Sequence, residues 1–162
     1  MRRTGAVVVG VAGAMLLLGG CAAVDLPLAG VRIGADGTPY AVFRPCGGDA
    51  YQGPFLDGRA HGAGEGPVTT GWDSRKEGLH GDAGFPLFSP PARWRARYRG
   101  ERRLLPRHRY TLGFGHYVTG DSYNAVVDFT TERIARLRPG QVWADGRVMS
   151  RRAFERLAAD SC

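Results

Sequence analysis

Leu105-Pro106-Arg107-His108-Arg109-Tyr110-Thr111-Leu112, continuing through Gly113-Phe114-Gly115-His116, decides the reading of the fold. Leu105-Pro106 marks a turn. Beyond it apolar side chains return at every second residue, with Tyr110, Leu112 and Phe114 on one face. A period of two belongs to a β-strand, whose successive side chains point to opposite faces. His108 falls in the turn and His116 farther along the strand. Either could act as a general base, but lone histidines are more often ordinary surface or core residues. No Gly-x-Ser-x-Gly elbow accompanies them, so a serine-hydrolase triad has no visible nucleophile.

The segments on both sides continue the β pattern. On the N-terminal side, Asp36-Gly37 separates apolar runs at 31–35 and 38–44. Asp-Gly between such runs signals a hairpin, because both residues take positive φ cheaply. On the C-terminal side, Gly120-Asp121 reads as a turn and 123–129 as a strand. Thr130 or Thr131 can cap a short helix over 132–137, which Pro139-Gly140 ends. Asp145-Gly146 repeats the hairpin logic between 141–144 and 147–149. Ser150 then caps a helix over 151–160 with an apolar stripe of Phe154, Leu157 and Ala158.

A Leu-Pro turn followed by Tyr110 and an alternating strand resembles the tyrosine corner of immunoglobulin-like sandwiches. The resemblance covers residues 31–129. It implies a mainly β chain folded as an antiparallel immunoglobulin-like sandwich, here with a short C-terminal helical appendage. An α+β roll is the alternative.

Residues 47–91 differ in character. They hold eleven glycines and few sustained apolar patterns. Short strands are expected near 51–56 and 68–72, and the rest reads as a long Gly-rich loop, since glycine costs the most backbone entropy to order. The loop carries Asp57, His61, Glu65, Asp73, Glu77, His80 and Asp82. Histidines and carboxylates in one segment could hold a metal, with His61 and His80 as the candidates. No tight ligand spacing supports this, and solvating charge is the competing reading. No cofactor is implied.

Arg93-Trp94-Arg95-Ala96-Arg97-Tyr98-Arg99 reads as a strand with Trp94, Ala96 and Tyr98 on one face. Arg93, Arg95, Arg97 and Arg99 on the other form a candidate anion-binding surface, for headgroups or envelope polymers. Basic clusters at an anionic membrane contribute about 1 kcal/mol per charge. The competing reading is a solvated edge whose arginines block strand-to-strand association.

The N-terminus supplies an address. Met1-Arg2-Arg3 is cationic, residues 6–18 are apolar and uncharged, and Leu18-Gly19-Gly20-Cys21 follows. This is the layout of a secretory signal. The Leu-Gly-Gly-Cys ending resembles the lipobox of bacterial lipoproteins, and the Arg-rich, Gly-rich style resembles small lipoproteins of high-GC actinobacteria. The resemblance implies cleavage after residue 20 and a diacylglyceryl group on Cys21. It further implies a tether over 21–30, a domain over 31–162, and a place on the extracytoplasmic face of the cell membrane. An uncleaved anchor helix over 4–24 is the competing reading. Arg2-Arg3 suggests twin-arginine export, but Thr4-Gly5-Ala6 fits that signal poorly.

The mature chain would have 142 residues, the size of one domain. Its formal charge falls from +7 to +5 as two arginines leave. Of the 22 basic residues only Lys76 is a lysine, which a GC-rich genome explains as well as anion binding does. With Cys21 lipidated, Cys46 and Cys162 remain. An exported chain meets an oxidising compartment, so these two are expected to form a disulfide. Nucleic acid is set aside as a partner of an exported protein. Three functions stay open: a non-enzymatic binding or envelope-structural lipoprotein, an envelope enzyme using histidine and carboxylate groups, and a metal carrier acting through 57–82.

Overall fold

The computed structural model describes residues 23–62 and 66–162. The signal at 1–20, Cys21 with its expected acyl group, most of the alternative anchor helix, and Glu65 lie outside the described residues. Among the described residues, no helix is long and apolar enough to cross a membrane.

Among the described residues, eleven strands form two sheets. The first sheet runs β1 (Val24–Leu26), β9 (Asp121–Thr130), β8 (His108–Val118), β4 (Gln52–Ala60), β5 (Thr70–Asp73), β7 (Arg97–Arg99). The second runs β11 (Arg147–Ser150), β10 (Gln141–Ala144), β2 (Ala29–Ile33), β3 (Pro39–Phe43), β6 (Ala83–Pro86). All pairings are antiparallel except that of β1 with β9. The expected mainly β sandwich with a short C-terminal helix is thus the architecture, and the α+β roll is not.

The long β8–β9 hairpin forms the centre. Tyr110, Leu112 and Phe114 of β8 are buried, as are Tyr123, Ala125, Val127 and Phe129 of β9. From the second sheet Phe43 meets Phe114 at 4.8 Å and stacks on Trp94 at 6.0 Å. Burying side chains of this size dominates the stabilisation of a sandwich core. Tyr110 makes the corner contact: its hydroxyl accepts from the Leu105 amide at 2.8 Å and reaches the Arg103 carbonyl at 3.4 Å.

The two Asp-Gly hairpins form as expected. At the β10–β11 turn Asp145 and Gly146 have φ of 51° and 67°, the pair of positive values a two-residue hairpin turn requires. The helix near 132–137 is shorter than expected: α1 (Thr131–Ile134) is capped by the Thr130 hydroxyl, which accepts from the Arg133 amide at 3.3 Å. Helix α2 (Arg151–Ser161) starts from Ser150, whose Oγ accepts from the Ala153 amide at 3.1 Å. Its Phe154 packs with Val42, Val142, Ala144 and Met149, so α2 covers the outer face of the second sheet.

Three expectations differ from the structure. Within 47–91 the two expected short strands are present as β4 and β5, but β4 extends to Ala60 and β6 is a third strand where Gly-rich loop was expected. Here glycine serves close approach: at Gly71, where φ is 126°, a Cβ would overlap the Leu56 carbonyl oxygen. Residues 21–30 were expected as a tether, but 24–26 are strand-paired, and Leu28 and Ala29 are fully buried. The Arg-rich strand is confined to 97–99. A 3-10 turn at Ala92–Trp94 follows Pro90-Pro91, and Arg95 takes a left-handed φ of 52°. That kink swings Trp94 into the core, where it is fully buried.

Cys46, just after β3, is bonded to Cys162 at the end of α2. Their Cα atoms are 5.4 Å apart across a sequence separation of 116. The expected staple is present and fixes α2 to the sandwich.

Candidate functional site

Strand register places the groups that matter at one end of the first sheet. His116 is paired with Tyr123, and Tyr123 with Val24. One row over, Gln52 faces Gly115 and Gly115 faces Asn124. Phe55 pairs with Asp73 and Asp73 with Arg97. Moving from these rows toward the end reached by Val24, β5 leads to Arg75 and Lys76, and β7 leads back to Arg95. The chain entry, the β8–β9 turn and these basic residues therefore share one end.

His116 is 4% exposed and stacks on Tyr123 at 4.9 Å between ring centres. Its Nδ1 lies 2.6 Å from the Ala50 carbonyl oxygen. A carbonyl only accepts, so Nδ1 carries the proton and donates. In neutral imidazole Nε2 is then the lone-pair atom. Nε2 is 3.9 Å from Asp49 Oδ2. Asp121, the first residue of β9, completes a group whose ligand-type atoms all lie within 4.8 Å of one another. Among the described residues this is the one such group of three. The Tyr123 hydroxyl accepts from the Cys46 amide at 3.1 Å and donates to Asp49 Oδ2 at 3.3 Å. Burial and the adjoining Asp49 carboxylate push this phenol above its ordinary value. Beside the group lies a depression of about 540 Å³, lined by Val24, Asp49, Asp121, Tyr123 and the Cys162 end of the disulfide.

The basic residues form a second feature of the same end. Arg75, Lys76, Arg95 and Arg97 line an open depression of about 350 Å³, floored by Trp94. Of the four expected anion-binding arginines, Arg97 and Arg99 are both paired with Asp73, Arg99 at 2.7 Å. Arg99 also reaches Asp57 at 3.6 Å. Arg93 and Arg95 are exposed, and neither forms an ion pair with a described residue.

The remaining candidates are scattered. His61 follows β4 at one end, and its amide donates to the Arg107 carbonyl at 2.7 Å. His80 contacts the Gly48 carbonyl at 3.2 Å, before the other end of β4. Nine strand residues separate the two ends, roughly 30 Å, so the structure does not bring His61 and His80 together. His108 lies 3.0 Å from the Pro106 carbonyl and 3.3 Å from the Thr69 hydroxyl. Asp57, Asp73 and Asp82 are held by arginines, Asp82 by Arg44 at 3.4 Å. Sequence reading pointed to His116 but missed its partners. Asp121 sits five residues away across a hairpin, a spacing that could have flagged it. Asp49 lies 67 residues upstream, and nothing local connects it to His116.

No family model matches the chain, and no curated protein or solved structure does either.

Proposed function

We propose that this chain is a lipid-anchored, extracytoplasmic binding or envelope-structural module, held by a diacylglyceryl group on Cys21, whose basic end lies against an anionic surface. The observation that carries the reading is the shared end: Val24 and the depression formed by Arg75, Lys76, Arg95 and Arg97. Val24 is three residues beyond Cys21, roughly 10 Å of extended chain. An anchor there keeps that end at the headgroups, where the arginines gain from an anionic leaflet or wall polymer. The Cys46–Cys162 bond supports the placement in two ways. Disulfides persist in oxidising compartments. The bond also leaves Cys21 as the cysteine available for acylation.

Two measurements test this reading. Intact mass of the membrane fraction is expected to begin at Cys21, to carry acyl groups, and to gain two hydrogens on reduction. Cys21→Ser is expected to release the protein from the membrane, and an unmodified product retaining Met1 would refute the anchor. The charge-reversed pair Arg75→Glu/Arg95→Glu is expected to lose sedimentation with phosphatidylglycerol vesicles. Arg136→Glu, at the opposite end, should keep it. Equal binding by all three proteins would refute the anionic contact.

A further inference from the structure

We propose that Asp49, His116 and Asp121 bind a divalent transition-metal ion of the zinc class, with one imidazole nitrogen and two carboxylate oxygens from the protein. The site does not depend on the membrane anchor and involves none of the residues of the 57–82 segment.

The donor set comes first. Imidazole suits zinc and its neighbours, whereas calcium and magnesium prefer all-oxygen shells. Three protein ligands with one position left open is the composition of reactive zinc sites. Here the open side would be the depression that Asp49 and Asp121 line.

The histidine is already set for a metal. Metal-bound histidines generally donate their second ring nitrogen to a carbonyl or carboxylate, which fixes the tautomer. His116 Nδ1 does this to Ala50, leaving the Nε2 lone pair free 3.9 Å from Asp49 Oδ2. His116 is buried, yet Nε2 forms no hydrogen bond among the described residues. A simple imidazolium–carboxylate pair would close to about 2.7–2.9 Å. The 3.9 Å gap to Asp49 Oδ2 is too long for that contact. It is near the roughly 3.3–3.5 Å expected between two ligands that share a tetrahedral ion at 2.0–2.2 Å.

The carboxylates are held as ligands usually are. Tyr123 donates to Asp49 Oδ2, an outer contact of the kind that orients a coordinating carboxylate. Asp121 is exposed at the β8–β9 turn and can swing inward to close the remaining distance. The two carboxylates carry a local negative charge that attracts a cation, and no arginine neutralises either one among the described ion pairs.

The test is zinc titration of the full, disulfide-intact chain in detergent micelles, followed by calorimetry. Wild type is expected to bind one zinc per chain. Asp121→Asn, an exposed substitution that leaves the core untouched, should weaken binding at least about tenfold. His61→Ala/His80→Ala should bind as wild type does. Cobalt in place of zinc should give a visible absorption band that Asp49→Asn abolishes. The proposal is overturned if wild type binds no zinc, if Asp121→Asn and Asp49→Asn bind as tightly as wild type, or if the His61/His80 variant alone loses the ion.

Discussion

The Tyr110 hydroxyl lies 2.8 Å from the amide nitrogen of Leu105, five residues upstream. The contact ties the 103–107 turn to the strand that follows it. Tyr110 is fully buried, so its removal leaves a polar backbone group without its partner. Tyr110→Phe is expected to cost about 1–2 kcal/mol in urea unfolding, with an unchanged slope. A variant as stable as wild type would show that the corner is ornamental.

The Cys46–Cys162 bond closes a span of 116 residues. In the chain-entropy view a loop of this length is worth roughly 3–5 kcal/mol. Cys162→Ser should therefore melt well below wild type, and wild type in reductant should melt with the variant. Coincident melting of oxidised wild type and variant would contradict the entropic role.

Tyr51 is 1% exposed, and its hydroxyl has no partner among the described residues. Burial pushes its phenol from 10.0 up to about 12. The folded state therefore holds this proton more tightly than the unfolded chain does. The corresponding stability is complete below pH 10 and is lost as pH rises toward 12. A rise of this size is worth on the order of a few kcal/mol. Tyr51→Phe should flatten the decline between pH 10 and 12. It should also add about 1 kcal/mol at neutral pH by removing an unpaired buried hydroxyl. A loss at neutral pH would mean that the hydroxyl is satisfied in solution.

Asp73 holds both Arg97 and Arg99. Exposed ion pairs of this kind contribute about 0–1 kcal/mol. Asp73→Asn is therefore expected to leave the melting temperature within a few degrees of wild type. The freed arginines should strengthen sedimentation with phosphatidylglycerol vesicles severalfold at low salt. If vesicle binding does not change, Arg97 takes no part in the anionic contact.

What could be read from the chain was local. Asp36-Gly37, Asp145-Gly146 and the Ser150 cap each carry their own backbone instructions, so two hairpins and α2 were legible in a few residues. Tyr110 was legible because its corner closes within five residues. The strands β4 and β5 were legible only in outline, near 51–56 and 68–72, and β6 not at all, because their full extent and order come from distant partners: β4 pairs with β8 some fifty residues later. The alternation across 93–99 suggested one strand, but Pro90-Pro91 and the left-handed Arg95 break it. Asp49 and His116 meet only because the disulfide turn and the β8–β9 hairpin converge, which no spacing in the chain encodes.

Val24 and Cys162 border the same depression. The folded body thus has a single doorway through which its backbone both enters and leaves. A short spacer would be enough to splice residues 24–162 into an exposed loop of an unrelated host protein, and the cross-link beside the doorway would keep the guest closed.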